Sequence, residues 1–261
     1  AFGPVFDLAI NPESQHTGIR GIGSDPAWTA AVGTEFVRGY QDAGVLPFAK
    51  HYPGFGRGIE DPHMELSNIL ADRETILREE LRPYREAIQK VGLMGIMTGH
   101  VHAPALDPDY PSPLSRKAFA LLDEMQFDGL IISDSLSMKG IVQADPSENL
   151  FVNAILAGHD ILLTDFKTTG FDTFAILLQA VRDGRISMEL LDKKVTRILR
   201  AKAWLKHFPA PSCDLAQNAK FFAKVSEMSL TCVRPDGGAF QPPSQAGRKL
   251  FLVATDESAA I

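Results

Sequence analysis

The sequence predicts an α/β fold of the (β/α)8 TIM-barrel type, incomplete at its N-terminus and followed by the start of a second α/β domain. Two observations predict this fold. Short, nearly continuous apolar runs alternate with amphipathic stretches along the chain, which indicates parallel strands covered by helices. Polar clusters rich in histidine and aspartate directly follow three of those runs, and functional residues of barrels collect at the carboxyl ends of the strands.

Five segments are predicted to be strands. Each is a short apolar run bounded by glycine, proline or polar residues. They cover residues 3–11, 45–49, 93–98, 129–133 and 160–164. A closed barrel of this type needs eight strands, so five leave it incomplete. Because the chain starts within a predicted strand and without methionine, we expect it to begin inside a longer precursor.

Helices are predicted where apolar residues recur at three- and four-residue spacing. Asp25 and Pro26 suit the start of the first helix, as a polar cap and a first-turn proline. The predicted helices cover residues 27–43, 73–91, 116–125, 149–157, 171–183, 187–207 and 216–229. Their alternation with the strands indicates a parallel sheet covered by helices.

The composition of the chain changes after residue 207. Residues 208–248 are rich in proline, glycine and serine and are predicted to form a linker that contains one helix. The apolar run at 249–254 predicts a strand, with which residues 249–261 would begin a C-terminal α/β domain. The barrel domain is therefore expected to cover residues 1–207.

The bulk composition excludes several classes of protein. With 45% hydrophobic and 22% charged residues, the chain is typical of a globular protein. The formal net charge of −6 and the lack of a concentrated basic face argue against a nucleic-acid partner. No apolar run in the sequence reaches the roughly 18 residues of a membrane span. Cys213 and Cys232 form neither a disulfide framework nor a metal pattern. The localisation and the oligomeric state are left undecided.

The stretch KHYPGFGRGIEDPH, residues 50–63, is dense in titratable groups and follows the second predicted strand. Within it, Asp61 precedes His63 by two residues, so its carboxylate can hold the imidazole ring and raise its basicity. Since the carboxyl ends of barrel strands face one side, we expect this stretch to meet the polar residues that follow the third and fourth strands. Those residues are His100, His102 and Asp134.

These segments resemble the β-N-acetylglucosaminidases of glycoside hydrolase family 3. Residues 50–63 are similar to the family signature KHFPGHGDTxxDSH, without a gap. The matching positions are Lys50, His51, Pro53, Gly54, Gly56, Asp61 and His63. Further motifs occur in the family order. Before residue 50, GPVFDLAIN resembles GPVLDV and RGIGSDP resembles RSFGxDP. After residue 63, MGIMTGHVHAPALD resembles MVxAHVxxPALD and FDGLIISDSLSM resembles FDGVVVTDALDM. The likeness extends from about residue 3 to residue 205.

The resemblance implies a retaining β-N-acetylglucosaminidase that needs no metal or other cofactor. It would remove terminal β-linked N-acetylglucosamine, with peptidoglycan (muropeptide) fragments as the expected carbohydrate substrate. By the same resemblance, Asp134 is the nucleophile, His63 the general acid/base and Asp61 its dyad partner. The residues expected to hold the sugar hydroxyls are Arg20, Lys50 and His51.

The loop departs from the family pattern at three positions. Phe55 stands where the family usually has histidine, Arg57 where it has aspartate, and Pro62 where it has serine or threonine. These changes leave open a degenerate barrel that binds carbohydrate without turnover. A metal-dependent barrel hydrolase is also open, because alternate residues of an extended His100–His102 segment could face one ion, with Asp134 as a further ligand. The choice between water and phosphate as the acceptor is open as well.

Overall fold

A computed structural model describes residues 1–14, 16–147, 149–164, 170–208 and 215–229 of the chain. The chain divides into two compact units, Ala1–Pro211 and Ser212–Ile261. Within the described residues, no helix is both long enough and apolar enough to span a bilayer. The strand predicted at 249–254 and most of the predicted linker lie outside the described residues, so the predicted domain boundaries stay a prediction.

The strands of the first unit form two parallel sheets. They are β1 (Ala49–Tyr52), β2 (Ser67–Asn68), β3 (Gly95–Thr98), β4 (Val101–His102), β5 (Leu130–Ser135) and β6 (Ile161–Leu163). In the larger sheet β1, β3, β5 and β6 lie side by side in chain order, and in the smaller one β2 pairs with β4. Parallel neighbours that follow the order of the chain are the arrangement expected of consecutive barrel strands.

The sequence did not predict β2 or β4, and two predicted strands differ clearly from the structure. The segment 3–11 is extended but joins the sheet through a single bridge, Val5 to Lys50, where Phe6 N donates to Lys50 O at 2.6 Å. The second predicted strand, 45–49, in fact begins at Ala49 and continues through Tyr52, so that Lys50 and His51 lie within the strand. The apolar pattern misplaced this boundary because the strand continues through two polar residues, the half-buried Lys50 and the buried His51.

The described helices are α1 (Pro26–Asp42), α2 (Arg73–Thr75), α3 (Arg82–Val91), α4 (Arg116–Glu124), α5 (Lys139–Ala144), α6 (Leu150–Ala157), α7 (Gly170–Arg182), α8 (Met188–Leu205) and α9 (Leu215–Ser229). The predicted cap of α1 is formed, since Asp25 Oδ1 accepts from Ala27 N at 2.6 Å and Trp28 N at 2.9 Å. The helix predicted at 73–91 is interrupted by a π-helical turn, Ile76–Glu80. The sequence did not predict α5.

The sheet is apolar on both faces. Ile96 and Ile131 belong to one buried cluster, whereas their neighbours Met97 and Ile132 belong to another. Successive residues of a strand point to opposite faces, so both faces of this sheet are covered. Burying each such side chain stabilises the fold by about 1.5–3 kcal/mol. This double covering fixes the strands whose carboxyl ends carry the polar residues described next.

Candidate active site

Asp134 is the penultimate residue of strand β5, and its side chain is partly accessible. Its neighbour Ser133 is buried, and Ser133 Oγ accepts from Leu163 N of β6 at 2.9 Å. Asp134 Oδ1 accepts from Ser135 N at 2.7 Å, and Oδ2 lies 3.7 Å from Nε2 of His51. The side chain of Asp134 is 20% exposed. One carboxylate oxygen is therefore fixed by the backbone and the other faces an imidazole.

The surroundings of Asp134 favour its ionised form. Burial alone would raise the pKa of this carboxyl, but His51 and His100, the Ser135 N–H and Lys50 together lower the pKa below its usual value. An ionised carboxylate at a partly open strand end can act as a nucleophile at neutral pH.

The histidine that faces Asp134 belongs to a fully buried histidine–aspartate pair. His51 Nδ1 lies 2.6 Å from Asp7 Oδ2, and the side chains are 2% and 0% exposed. Asp7 Oδ1 also accepts from the backbone N–H groups of His51 at 3.1 Å and Phe55 at 3.0 Å. Burial alone would raise the pKa of Asp7, but its contacts with His51 lower it. We call Asp7 and His51 the inner pair.

Sequence reasoning did not select Asp7. The available signal was a carboxylate inside the apolar run GPVFDLAI, because a charge in a buried segment needs a partner. The partner could not be identified from the sequence, since His51 is 44 residues away.

A second histidine–aspartate pair lies in the loop after β1, as predicted from its spacing. His63 Nδ1 is 2.6 Å from Asp61 Oδ1, which also accepts from His63 N at 3.0 Å. The side chains of His63 and Asp61 are 64% and 32% exposed. Burial alone would raise the pKa of Asp61, but the hydrogen bonds and charge of His63 lower it. We call Asp61 and His63 the outer pair.

His16 lies between the two pairs and was also missed by sequence reasoning. Its Nε2 is 3.4 Å from His51 Nδ1, and its ring centroid lies 4.3 Å from Phe55 and 6.2 Å from His63. Burial, followed by the charge of His51, lowers the pKa of His16 to about 3. His16 is therefore a neutral imidazole at ordinary pH. Nothing in its sequence context indicates this position.

The two predicted sugar-binding cations occupy different environments. Lys50 is half-buried, and burial lowers its pKa while the nearby charge of Asp134 acts in the opposite direction. Arg20 is exposed and donates from Nη2 to the carbonyl of His16. The structure thus brings Lys50 close to Asp134 and ties Arg20 to the segment that carries His16.

The predicted metal alternative is not assembled. His100 is fully buried, its Nε2 lies 2.7 Å from the carbonyl of Ser135, and burial lowers its pKa. Across the described part of the chain, the groups with ligand atoms within 4.8 Å of one another are Asp7–His16–His51 and His16–Asp61–His63. Neither group contains His100, His102 or Asp134.

The strands are parallel and follow the order of the chain. An ionised carboxylate lies at a strand end, and an exposed histidine–aspartate pair lies in an adjoining loop. Together these features define a barrel-type glycoside hydrolase domain. The chain belongs to glycosyl hydrolase family 3, because residues 1–201 match the N-terminal domain of that family.

Relatives support the same assignment. The beta-hexosaminidase LpqI of Mycobacterium tuberculosis is 33% identical over 219 residues, which cover 81% of this chain and 55% of that protein. The beta-N-acetylglucosaminidase/beta-glucosidase of Cellulomonas fimi is 35% identical over 222 residues, covering 78% and 38% respectively. The chain therefore spans about half the length, or less, of these relatives.

A solved structure shows the same fold. The glycoside hydrolase family 3 beta-N-acetylglucosaminidase from Paenibacillus sp. FPU-7 has a TM-score of 0.83 and 34% identity, covering 91% of this chain and 47% of that one. Together with the family match, this structure confirms the predicted family and the incomplete (β/α)8-type barrel.

Proposed function

We propose that this domain carries the active site of a retaining β-N-acetylglucosaminidase that removes terminal β-linked N-acetylglucosamine. The observation that carries the proposal is the position of Asp134, with a lowered pKa, at a partly open strand end. The segment after this strand contacts the loop of the outer pair, because Gly140 N donates to Pro62 O at 3.3 Å. A retaining glycosidase needs one group to form a glycosyl ester and a second to donate and then accept a proton. Asp134 and His63 supply these two groups.

The first step would form a covalent intermediate. A carboxylate oxygen of Asp134 attacks the anomeric carbon as the bond to the leaving oxygen breaks, and His63 gives that oxygen its proton. In the second step His63 takes a proton from water, the hydroxide attacks the anomeric carbon, and Asp134 leaves as a carboxylate.

Histidine suits the proton-transfer role in this geometry. An imidazole can both donate and accept protons near neutrality. Nδ1 of His63 is occupied by Asp61, which leaves Nε2 for the substrate. The ring is 64% exposed, so a bound sugar can reach it. A histidine also adds no second negative charge near Asp134.

Substrate binding is assigned to Arg20, Lys50 and His51. The half-buried ammonium of Lys50 has three donors for sugar hydroxyls. The ring nitrogens of His51 already face Asp7 and Asp134, so His51 would share its Nε2 side between the nucleophile and the sugar. Peptidoglycan fragments are proposed as the source of the substrate from the family resemblance.

The test is release of 4-nitrophenol from its β-N-acetylglucosaminide and its β-glucoside by the whole protein. We expect turnover of the first substrate and its loss in Asp134→Asn. The matched control is Asp128→Asn, because Asp128 precedes the opposite end of β5 and its side chain is 78% exposed. Equal activity in the wild type and Asp134→Asn would refute the nucleophile assignment.

Two further results would redirect the proposal. Binding of N-acetylglucosamine without turnover of either substrate would indicate a carbohydrate-binding barrel. A rate increase with inorganic phosphate, together with a sugar phosphate as product, would indicate phosphorolysis in place of hydrolysis.

A further inference from the structure

An ion-pair cluster lies against the loop that carries the outer pair, and the reaction proposed above does not use it. The Arg57 guanidinium pairs with Glu79, and its Nε lies 3.0 Å from Oε1 of Glu80. We propose that Arg57 and Glu80 are positioning residues that anchor this loop so that Asp61 and His63 can transfer a proton. The inference rests on the proposed function, because it assigns that role to the outer pair.

Glu80 occupies an unusual place for a carboxylate. It is the last residue of the π-helical turn between α2 and α3, and it is 1% exposed. Such turns occur frequently at functional sites. Neither of its carboxylate oxygens accepts a well-directed hydrogen bond, so the Arg57 charge is its main compensation.

The burial of Glu80 is not explained by stability. It raises the pKa of Glu80 to about 7, although Arg57 opposes the shift. A buried charge whose only compensation is one partly exposed partner commonly stabilises a protein no more than a neutral residue of the same size. A role in holding the loop gives a reason for a buried carboxyl group beside Arg57 at this position.

The backbone of the loop rests directly on Glu80. Gly54 has a φ of +130°, and a Cβ at this residue would lie 2.7 Å from Oε2 of Glu80. Two residues later, a Cβ on Gly56 would lie 1.9 Å from the carbonyl oxygen of Leu8. The loop therefore has no room for a side chain at Gly54 or Gly56, where its backbone packs against Glu80 and Leu8.

The loop connects this anchor to the outer pair over a short distance in sequence. Gly58 N donates to Phe55 O at 2.8 Å, which closes a turn around Arg57. Glu60 Oε2 then accepts from Asn68 N of strand β2 at 3.2 Å. Asp61 follows directly. The contacts of Arg57 and Glu60 therefore fix the part of the loop that leads into the outer pair. Displacing a catalytic group by about 1 Å can lower a rate by about 10²-fold.

The experiment compares kcat/KM for two β-N-acetylglucosaminides in Arg57→Gln, Glu80→Gln and the double variant of the whole protein. A phenyl leaving group needs a proton from His63, whereas a dinitrophenyl group leaves without one. We expect kcat/KM for the phenyl substrate to fall by about tenfold, a fraction of the 10²–10⁴-fold that acid–base catalysis contributes. The value for the dinitrophenyl substrate should change by less than about twofold if only proton transfer is affected.

Two comparisons make the result specific. The double variant should lose no more than the larger single variant, because the two residues act through one ion pair. The matched control is Arg82→Gln, which breaks the 2.8 Å pair of Arg82 with Glu86 in α3 and should leave both substrates unaffected.

Three results would overturn the inference: an equal fall for both substrates, additive losses in the double variant, or full activity in folded variants. If Arg57→Gln does not fold, Glu80→Gln decides alone, since it keeps the shape of the side chain and replaces the carboxyl group that faces Arg57. If the wild type itself has no turnover, the proposed function fails, and amide exchange at residues 58–63 then tests the anchor. Faster exchange in Glu80→Gln would support the anchor, and unchanged exchange would refute it.

Discussion

The inner and outer pairs join the same two side chains by the same contact, yet they have different surroundings. In each pair Nδ1 of a histidine lies 2.6 Å from a carboxylate oxygen. Asp7 and His51 are buried, whereas the side chains of Asp61 and His63 are 32% and 64% exposed. Identical local chemistry therefore suits the two different roles that we propose, a fixed support for Asp134 and a proton exchanger open to substrate.

The difference follows from what else each carboxylate binds. Asp7 accepts two backbone N–H groups from β1 and the following loop, so it holds the main chain as well as the ring. Among the described residues, the Asp61 carboxylate accepts from His63 alone, through the ring and the backbone N–H. Removing Asp7 leaves buried donors unpaired, at about 1–3 kcal/mol each. Removing Asp61 exposes its partners to water, which can replace it.

The largest effect is expected on activity at the outer pair. His63→Ala should lower kcat by about 10²–10⁴-fold, because it removes the group that we propose transfers the proton. The same change should leave the unfolding midpoint close to that of the wild type, since the ring is mostly exposed. Steady-state kinetics and urea unfolding measure the two quantities. A large loss of stability would show that the outer pair supports the fold, contrary to the comparison.

The next largest effect is expected on stability at the inner pair. Asp7→Asn should lower the free energy of unfolding by about 3–5 kcal/mol, because it breaks a buried pair and leaves His51 without its charged partner. The matched change Asp61→Asn in the outer pair should cost no more than about 1 kcal/mol. Urea unfolding of both variants gives the ratio directly, and equal costs would contradict the assignment of different roles.

A smaller effect, dependent on pH, is expected at His16 between the pairs. Its pKa of about 3 in the folded protein lies below the ordinary value of 6.5, so the unfolded chain takes up a proton first. The wild type should lose about 2 kcal/mol of stability between pH 7.5 and pH 5 from this residue. His16→Phe should remove that part of the loss. The control is His207→Phe, because His207 is exposed. An unchanged pH dependence of stability in His16→Phe would exclude a contribution from His16.

Local pattern was enough to predict the outer pair and the position of Asp134. The outer pair spans two residues, and Asp134 directly follows an apolar strand, so both follow from neighbouring residues. The inner pair and His16 depend on contacts across 44 and 35 residues, which periodicity does not encode. The same holds for strand β1, where His51 is stabilised by a partner far away in the sequence.

The helical region gives a second case. The apolar spacing at 73–91 predicts one continuous helix and is correct about its buried face, with Leu81 and Tyr84 in the core. It gives no sign of the π-helical turn at Ile76–Glu80, because an extra residue in one turn leaves most of the apolar spacing intact. The contact of Arg57 with that turn was equally hidden, although the departure at Arg57 was visible.

The hydrogen bonds of Asp7 couple the orientation of His51 to the docking of the first residues of the chain onto β1. Lys50 N donates to Pro4 O at 3.0 Å and Phe6 N donates to Lys50 O, so this segment docks as a unit. Closing a loop of 44 residues is a late and entropically costly event compared with forming neighbouring turns. During refolding, the recovery of enzymatic activity should therefore lag behind the recovery of helical signal.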